Sequence, residues 1–302
     1  MSKGPRKVDP ATLPDQFGGI KPGTTMILDG DSLCYVVAAK FKTVPTCIRH
    51  FQMQVLTLLF LTKAESAIVH LTASDSLKAG RHNIIAAKPY QGNRTGKAKP
   101  SLLEPVRQAV ADESNWLPEY RVEYHRELEA DDACMMDSYR LKDSGILVSD
   151  DKDLRATPYP YYERKQGKVM TAAGFGDIWP ERTDGGTYKL EGQGIKFFHA
   201  QMLMGDAADN VTGLTKYKGG LVGPAKTFEL LGKIEDESES MNFILDAYRE
   251  NDQNPLPEGW LMWLLRWPGD NFWQYLQSLD LLDRNREFLN KCLERQWFIT
   301  PT

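Results

Sequence analysis

Short apolar runs that end in acidic residues constrain the fold of this chain more than any other feature of its 302 residues. The run 145–148 reads GILV and is followed at once by Ser149, Asp150 and Asp151. An uninterrupted apolar run of this kind is typical of a strand buried on both faces of a parallel sheet. The segment 48–61, by contrast, carries apolar residues at helical spacing. Strands that alternate with helices predict an α/β fold with a mostly parallel central sheet flanked by helices.

The same patterns divide the chain into segments. The predicted strands are 24–28, 67–71, 120–124 and 145–148, and the predicted helices are 32–39, 48–61, 105–113, 129–141, 195–204 and 228–231. Four prolines within 1–23 indicate a loose N-terminal arm. The segment 163–194 is rich in Gly, Lys and Asp, and we expect it to form strands or hairpins at the edge of the sheet.

Acidic residues follow each predicted strand. They are Asp29, Asp75, Glu129, Asp131, Asp132, Asp151 and Asp153. Any one of these groups alone is typical of a helix cap or a turn. Ligands of a parallel α/β sheet, however, bind beyond the carboxyl ends of the strands, so we expect these acids to converge on one pocket. Carboxylates without Cys or His suit Mg²⁺ or Mn²⁺. Two such ions can support hydrolysis of a phosphodiester, and spread carboxylates are what two ions require.

A second acidic pair and a glycine-rich segment follow the predicted helix 195–204. Asp206 and Asp209 are three residues apart, and on a turn or a first helical turn both carboxylates would lie on one side. The segment 219–223 contains three glycines and leads to the predicted helix 228–231. Bare backbone amides at such a hairpin and at a helix N-terminus can bind phosphate without reading sequence. An ordinary helix–helix connection is the alternative for the glycines.

The residues 76–100, called the basic segment below, contain no acid. Their positive charges are Lys78, Arg81, Lys88, Arg94, Lys97 and Lys99. The net charge of the whole chain is only −4, so the distribution of charge is more informative than the total.

Other classes of protein are poorly supported. No apolar stretch approaches the roughly 20 residues of a membrane span, and the N-terminus lacks the apolar region of a secretory signal. The four cysteines are far apart, and the five histidines form no HExxH or HxH pair. We therefore expect a cytoplasmic protein with buried reduced thiols and with histidines that serve packing rather than catalysis. Trp260, Trp263 and Trp267 have the spacing of a buried helix face.

Five motifs carry a specific resemblance. They are ILDGDS, ELEADD, LVSDDKDL, LMGDAADNVTGL and GLVGPAKTFELL. Together, from about Thr25 to Leu231, they resemble the flap endonuclease (5′ nuclease) superfamily, in particular the bacteriophage 5′ to 3′ exonucleases. The resemblance implies a Mg²⁺-dependent 5′ to 3′ exonuclease or flap endonuclease that acts on 5′ ends, nicks or flaps of duplex DNA. RNA primers in hybrids are a further implied substrate, and phage DNA replication or host DNA breakdown is the implied setting. The resemblance also implies that the protein is a monomer and has no membrane partner.

The resemblance also assigns residues. The metal ligands would be Asp29, Asp75, Glu129, Asp131, Asp132, Asp151, Asp153, Asp206 and Asp209, holding two Mg²⁺ ions for which Mn²⁺ can substitute. Arg81, Lys88 and Arg94 would stabilise transition-state charge. The DNA contacts would be Tyr90, Gln91, Lys97, Gly219, Gly220, Gly223, Lys226 and Thr227. The implied catalytic nuclease domain is 24–204, with 76–100 as its arch. The implied DNA-binding region is 205–302, whose helix-three-turn-helix would hold a K⁺ ion.

Two departures from the family pattern concern the substrate contacts. Gln91 stands where the family has a lysine that contacts the scissile phosphate, and Lys88 or Lys97 is a candidate for the missing charge. The glycine-rich hairpin is one residue longer than the usual form.

Three alternatives remain open at this point. A phosphatase of the haloacid dehalogenase type would use Asp29 as a covalent nucleophile, but it leaves the basic segment, the EADD group and the glycines unexplained. A catalytically inactive, structure-specific DNA-binding protein would explain Gln91. A PIN-like ribonuclease would share the acidic sheet edge but normally lacks the hairpin.

Overall fold

A six-stranded sheet forms the centre of the N-terminal half of the computed structural model, which describes residues 19–183 and 185–295. Its strands are β1 (Lys21–Asp29), β2 (Ala64–Thr72), β3 (Tyr120–His125), β4 (Gly145–Val148), β5 (Tyr161–Glu163) and β6 (Lys168–Met170). The spatial order is β3-β2-β1-β4-β5-β6, and every pair is parallel except β5 with β6. The predicted α/β fold with a mostly parallel sheet is therefore confirmed.

Four helices cover the two faces of this sheet. They are α1 (Gly30–Lys40), α2 (Val44–Thr62), α3 (Leu103–Ala111) and α4 (Ala130–Leu141). Side chains alternate between the faces along β1. Met26 and Leu28 pack into the cluster with α1, α2 and α3, whereas Ile27 packs with Met135 of α4. Because both faces of the sheet are covered, β4 is apolar and buried along its whole length, as the run 145–148 indicated.

A mainly helical part follows. It comprises the hairpin β7 (Asp177–Arg182) and β8 (Tyr188–Gln193), and the helices α5 (Ile195–Met204), α6 (Pro224–Leu231), α7 (Glu237–Glu250), α8 (Pro255–Met262), α9 (Phe272–Gln277) and α10 (Asp283–Leu293). One buried cluster joins Phe197 and Phe198 of α5 to Ile244, Tyr248 and Phe272. This core continues across residue 204, and the division of the chain after that residue stays a prediction.

The structure corrects two predicted segments near the ends of the sheet. Of the predicted N-terminal arm, residues 1–18 lie outside the described residues, but β1 already begins at Lys21. In the segment 163–194 only β6 lies at the sheet edge, because β7 and β8 form a separate two-stranded sheet. This hairpin packs closely on α5, since a Cβ atom on Gly192 of β8 would lie 2.5 Å from Phe197 Cδ2.

The spacing of Trp260, Trp263 and Trp267 predicts one helix through all three residues, and this prediction is wrong. Helix α8 ends at Met262, and Trp263 is extended at its C-terminal cap. Asp270 draws the chain into a turn, since it accepts hydrogen bonds from the Trp263 Nε1 and the Arg266 backbone. Trp263 is buried as expected, but Trp267 is 43% exposed beneath the Arg266 guanidinium.

Two further expectations concern cysteines and membranes. All four cysteines are buried and free, as predicted. Within the described ranges, no helix combines the length and the apolar character needed to cross a membrane.

Close packing of α1 on β2 gives a test of the fold. A Cβ atom on Gly30 would lie 2.7 Å from Val69 Cγ1 and 3.0 Å from the His70 carbonyl oxygen. We expect Gly30→Ala to lower the free energy of unfolding by roughly 1–3 kcal/mol, because overpacking forces the neighbours to shift. Urea denaturation measures this change. The control is Gly220→Ala, whose Cβ would have the Tyr217 carbonyl oxygen at 3.7 Å as its nearest neighbour. Equal stability of both variants would contradict the packing described.

Candidate metal centre and nucleic-acid interface

The carboxyl ends of β1, β2 and β4 and the start of α4 meet at one edge of the sheet. We call the following residues the acidic edge: Asp29, Asp31, Glu129, Asp131, Asp132, Asp151 and Asp153. Asp29 is the last residue of β1 and the N-cap of α1. Its carboxylate accepts hydrogen bonds from the Asp31 backbone at 3.0 Å and from the Ser149 hydroxyl at 2.8 Å. Two strand ends thus fix this carboxylate in place.

The first turn of α4 brings three more acids. Glu129 is the N-cap, and it forms a capping box with Asp132. Carboxylates at this position stabilise the helix, because they complement the positive end of its dipole and satisfy its free amides. Capping of α4 therefore accounts for the carboxylates of Glu129 and Asp132. It does not account for the Asp131 carboxylate, which takes no part in the capping box.

A short turn after β4 supplies the next pair. Asp151 caps this turn and accepts a hydrogen bond from the Asp153 backbone at 2.9 Å. The Asp153 carboxylate accepts bonds at 2.7 Å from the side chains of Lys152 and Gln201. Lys152 also lies 3.4 Å from Asp206, so it links the acidic edge to the segment after α5.

Burial and mutual repulsion make part of the acidic edge unfavourable as a set of free anions. Burial, followed by the neighbouring Asp31 carboxylate, raises the pKa of Asp29 from 3.8 to about 7. Burial and the carboxylates of Asp29 and Asp151 hold the pKa of Asp131 well above its ordinary value. In the part of the chain that the structure describes, no salt bridge joins Asp29, Asp131 or Asp151 to a basic side chain. These three carboxylates are therefore the best fit to a hard divalent cation.

The other predicted ligands have cationic partners. Asp132 forms a buried bidentate pair with Arg81 at 2.7 Å, and Glu129 contacts Lys78 at 3.0 Å. Asp209 pairs with Arg94 at 2.7 Å. These carboxylates gain less from an added cation than the three unpaired ones.

Asp75 is not brought into the acidic edge. Its side chain is 63% exposed and pairs with Arg126 at 2.5 Å. Asp31 lies at the end of β2 instead, where it accepts a hydrogen bond from the Thr72 backbone and pairs with Arg107 at 3.0 Å. The sequence analysis named no role for Asp31, although the motif ILDGDS contains it.

Asp206 and Asp209 lie in a tight turn rather than in a first helical turn. Asp206 and Val211 exchange backbone hydrogen bonds, and Asn210 adopts a positive φ of 63°. Gly205 also has a positive φ, of 73°, and an added Cβ would collide with the carbonyl oxygens of Val211 and Thr212. The chain therefore leaves the helix sharply, and both acids still face the acidic edge through Lys152 and Gln91.

The basic segment docks onto this turn. The Gln91 backbone donates to the Asp209 carbonyl at 2.9 Å, and the Asn93 side chain donates to the Ala207 carbonyl at 2.7 Å. The Tyr90 hydroxyl donates to Glu129 at 2.7 Å. Burial raises the pKa of Tyr90, so it stays a neutral donor.

Lys78 supplies a positive charge beside Gln91. Its ammonium donates to Gln91 Oε1 at 2.6 Å and to Glu129 Oε1 at 3.0 Å. Lys88 and Lys97, the candidates from sequence, are both exposed. Sequence reasoning missed Lys78 because it lies 13 residues before Gln91, outside the local motif.

Arg81 is buried, whereas we expected it to stabilise charge on the substrate. Its side chain is 3% exposed, and its donors go to Asp132, Glu129 and the Trp263 carbonyl. A guanidinium that is enclosed in this way holds protein segments together and does not reach a substrate. Arg94 is half-exposed and remains available.

The glycine hairpin, residues 217–223, precedes α6. Tyr217 and Gly220 exchange backbone hydrogen bonds of 2.8 and 3.0 Å. Gly219 has a φ of +81° with open space around it, and Leu221 is 85% exposed. Lys226 is exposed and pairs with Glu229, whereas Thr227 is fully buried. The backbone of the hairpin is thus accessible, but the Thr227 side chain is not.

No protein-family model and no curated protein matches this sequence. Solved structures do match it. A T5 protein co-crystallised with metal ions has a TM-score of 0.53 at 15% identity, with 90% of this chain and 98% of that chain covered. The T5 5′-exonuclease with bound zinc has a TM-score of 0.52 at 16% identity, with the same coverage. The chain has the 5′-exonuclease fold.

A third neighbour with this fold is the bacteriophage T5 flap endonuclease in a pseudo-enzyme-product complex with DNA and metal ions. Its TM-score is 0.50 at 15% identity, and 90% of this chain and all (100%) of that chain are covered. The predicted resemblance to the 5′ nuclease superfamily is confirmed at the level of the 5′-exonuclease fold.

The raised pKa of Asp29 predicts how stability depends on pH without metal. A folded state with a raised carboxyl pKa binds its proton more tightly than the unfolded state, so stability falls as pH rises from about 4 to about 7. In EDTA we expect the melting temperature to fall by several degrees between pH 5 and pH 7.5. Mg²⁺ should restore more stability at pH 7.5 than at pH 5, because it takes the place of the proton.

Asp29→Asn is the matched variant for this measurement. The amide cannot ionise, so the melting temperature in EDTA should depend less on pH, and the variant should exceed the wild type at pH 7.5. A wild-type melting temperature that stays level or rises over this interval would contradict the electrostatic description of the acidic edge.

Proposed function

We propose that the protein is a metal-dependent 5′ nuclease that hydrolyses phosphodiester bonds at 5′ ends, nicks or flaps of duplex DNA. The observation that carries the proposal is a group of carboxylates beside the basic segment that have no basic partner among the described residues. They lie at the carboxyl edge of the sheet and are buried Asp29, half-buried Asp131 and exposed Asp151. The 5′-exonuclease fold supports it, since T5 proteins with this fold are described with metal ions and with DNA.

The proposed metal centre would hold two Mg²⁺ ions, with Mn²⁺ as a substitute. Asp29, Asp131 and Asp151 would be the principal ligands, and Asp153, Asp206, Glu129 and Asp209 would complete the centre. The bound ions would supply activation of water and stabilisation of the attacking and leaving oxygens. The proposal leaves Asp75 out, because its side chain is exposed and paired with Arg126.

The chain's own cations would then act on the substrate. Lys78 and Arg94 lie at the rim of the acidic edge, where an ammonium and a guanidinium can stabilise charge on the scissile phosphate. The accessible amides of the glycine hairpin and Lys226 would contact the duplex backbone, and a K⁺ ion would bind at the hairpin. Lys88, Lys97 and Tyr90 belong to the segment through which a single-stranded 5′ end would pass.

Matched carboxylate variants test the metal centre. We expect Asp131→Asn to abolish cleavage of 5′-labelled blunt, nicked and 5′-flap duplexes in Mg²⁺ while DNA binding is kept, because it removes an unpaired ligand. Asp75→Asn is the control, and it should cleave like the wild type. Product size on a denaturing gel separates exonuclease from flap endonuclease action, and a duplex with a 5′ RNA segment tests hybrids.

Two results would contradict the proposal. One is cleavage by Asp131→Asn at the wild-type rate. The other is absence of wild-type cleavage with any of these substrates in Mg²⁺ or Mn²⁺, which with retained DNA binding would favour the catalytically inactive DNA-binding protein. Release of phosphate from small monoesters would favour the phosphatase alternative.

Lysine variants test the source of the charge beside Gln91. We expect Lys78→Ala to slow cleavage at saturating DNA by on the order of 100-fold, as loss of one charge-stabilising donor does elsewhere. Lys88→Ala and Lys97→Ala should weaken DNA binding at low salt with little effect on the rate at saturation. Single-turnover kinetics on a 5′-flap duplex distinguish the two effects. A larger rate loss in Lys88→Ala or Lys97→Ala would reassign the role.

A further inference from the structure

A cluster of two histidines and a glutamate lies on β2 and β3, outside the acidic edge. In the parallel pairing His70 lies opposite Glu123, and Thr72 lies opposite His125. Residues in register, and residues two apart on one strand, share a face of the sheet, so all three side chains point the same way. Their ligand atoms lie within 4.8 Å of one another. The sequence predicts only packing for these histidines, because none of them has a motif around it.

The orientation of His70 is that of a metal ligand. Its Nε2 lies 3.2 Å from Asp137 Oδ2 on α4, and Arg140 holds the other Asp137 oxygen at 2.7 Å. A carboxylate that accepts the Nε2 proton leaves the Nδ1 lone pair free to bind an ion. That Nδ1 lies 2.9 Å from His125 Nε2 and 3.8 Å from Glu123 Oε2. A buried imidazole thus aims its lone pair at two further ligand atoms.

We propose that His70, His125 and Glu123 bind a zinc ion, with Asp137 as the carboxylate that orients His70. Two imidazoles and one carboxylate are a common ligand set for Zn²⁺ and a poor one for Mg²⁺, which prefers oxygen alone. Water would be the fourth ligand.

Binding needs only small movements. Zinc–nitrogen distances of 2.0–2.1 Å at a tetrahedral angle place the two nitrogens roughly 3.3 Å apart. The present separation is 2.9 Å, so the rings must part by a few tenths of an ångström. His125 must carry its proton on Nδ1. Glu123 is 40% exposed and opens the site to solvent, and its other oxygen contacts Arg121 at 3.2 Å.

The ion would brace the helix that carries the acidic edge. Asp137 lies six residues after Asp131 on α4, which corresponds to about 9 Å along the helix axis. Zinc at this site would join β2 to β3 directly and to α4 through Asp137. The site is separate from the proposed Mg²⁺ centre and does not depend on it.

Zinc binding to the full chain tests the proposal. Metal-free protein in excess Mg²⁺, which occupies the acidic edge, is titrated with Zn²⁺ against a chromophoric chelator, and Co²⁺ serves as an absorption probe of tetrahedral coordination. We expect the wild type to bind one Zn²⁺ tightly. Asp137→Asn should bind about 10- to 100-fold more weakly, as loss of an orienting carboxylate does elsewhere, and His125→Ala and Glu123→Gln more weakly still.

Two controls locate the ion. His50→Ala changes a histidine that stacks on Phe41 and is not part of the cluster, and Asp131→Asn removes a carboxylate of the acidic edge. Both should keep the Mg²⁺-resistant zinc. The proposal would be overturned by wild-type protein that binds no zinc in excess Mg²⁺, or by equal affinity in His125→Ala, Glu123→Gln and the wild type. Because no step measures cleavage, failure here is distinguishable from failure of the proposed nuclease.

Discussion

The buried ion pair between Arg81 and Asp132 ties together three parts of the chain that are distant in sequence. Arg81 belongs to the basic segment, Asp132 to the first turn of α4, and the Trp263 carbonyl that Arg81 also reaches follows α8. The Leu265 backbone donates to the same Asp132 carboxylate at 3.2 Å. Removing one partner of a buried ion pair leaves an unpaired buried charge and lowers the free energy of unfolding by about 3–5 kcal/mol. The contacts between these three parts therefore depend on both Arg81 and Asp132. Lys78 and the acid Glu129 lie next to this pair.

That pair determines which charges remain free. With Arg81 committed to Asp132, Lys78 is left to contact Glu129 and Gln91, and Arg94 to contact Asp209. These two cations thus pair with Glu129 and Asp209, whereas Asp29, Asp131 and Asp151 have no basic partners among the described residues. The arrangement suits a polyanionic substrate and divalent cations at the same time.

The sequence predicts strands β1 to β4, most helices and the convergence of most of the acids, because these depend on local periodicity and on the rule for parallel sheets. The predictions from sequence are wrong where a contact with a residue distant in sequence determines the local structure. Asp75 follows β2 in sequence as expected. The carboxylate at the end of that strand is nevertheless that of Asp31, which accepts a hydrogen bond from the Thr72 amide. Helix α8 stops at Met262 because Asp270 captures groups beyond it. The histidine cluster leaves no motif, since its members meet only through strand register.

The acids of the pocket differ in what they gain from a cation. Lys152 already lies between Asp153 and Asp206, and although burial opposes its charge, these carboxylates raise its pKa. A divalent ion near Asp153 must therefore share its ligands with an ammonium. Asp29 and Asp131 have no such partner among the described residues, and burial together with repulsion from neighbouring carboxylates raises the pKa of both. Burial and the Asp151 carboxylate also raise the pKa of Asp153, in spite of Lys152. An ion beside Asp29 and Asp131, however, meets no competing ammonium among the described residues. In the proposed metal centre the first divalent ion is thus expected beside Asp29 and Asp131, and a second, near Asp153 and Asp206, would bind more weakly because Lys152 competes for the same oxygens.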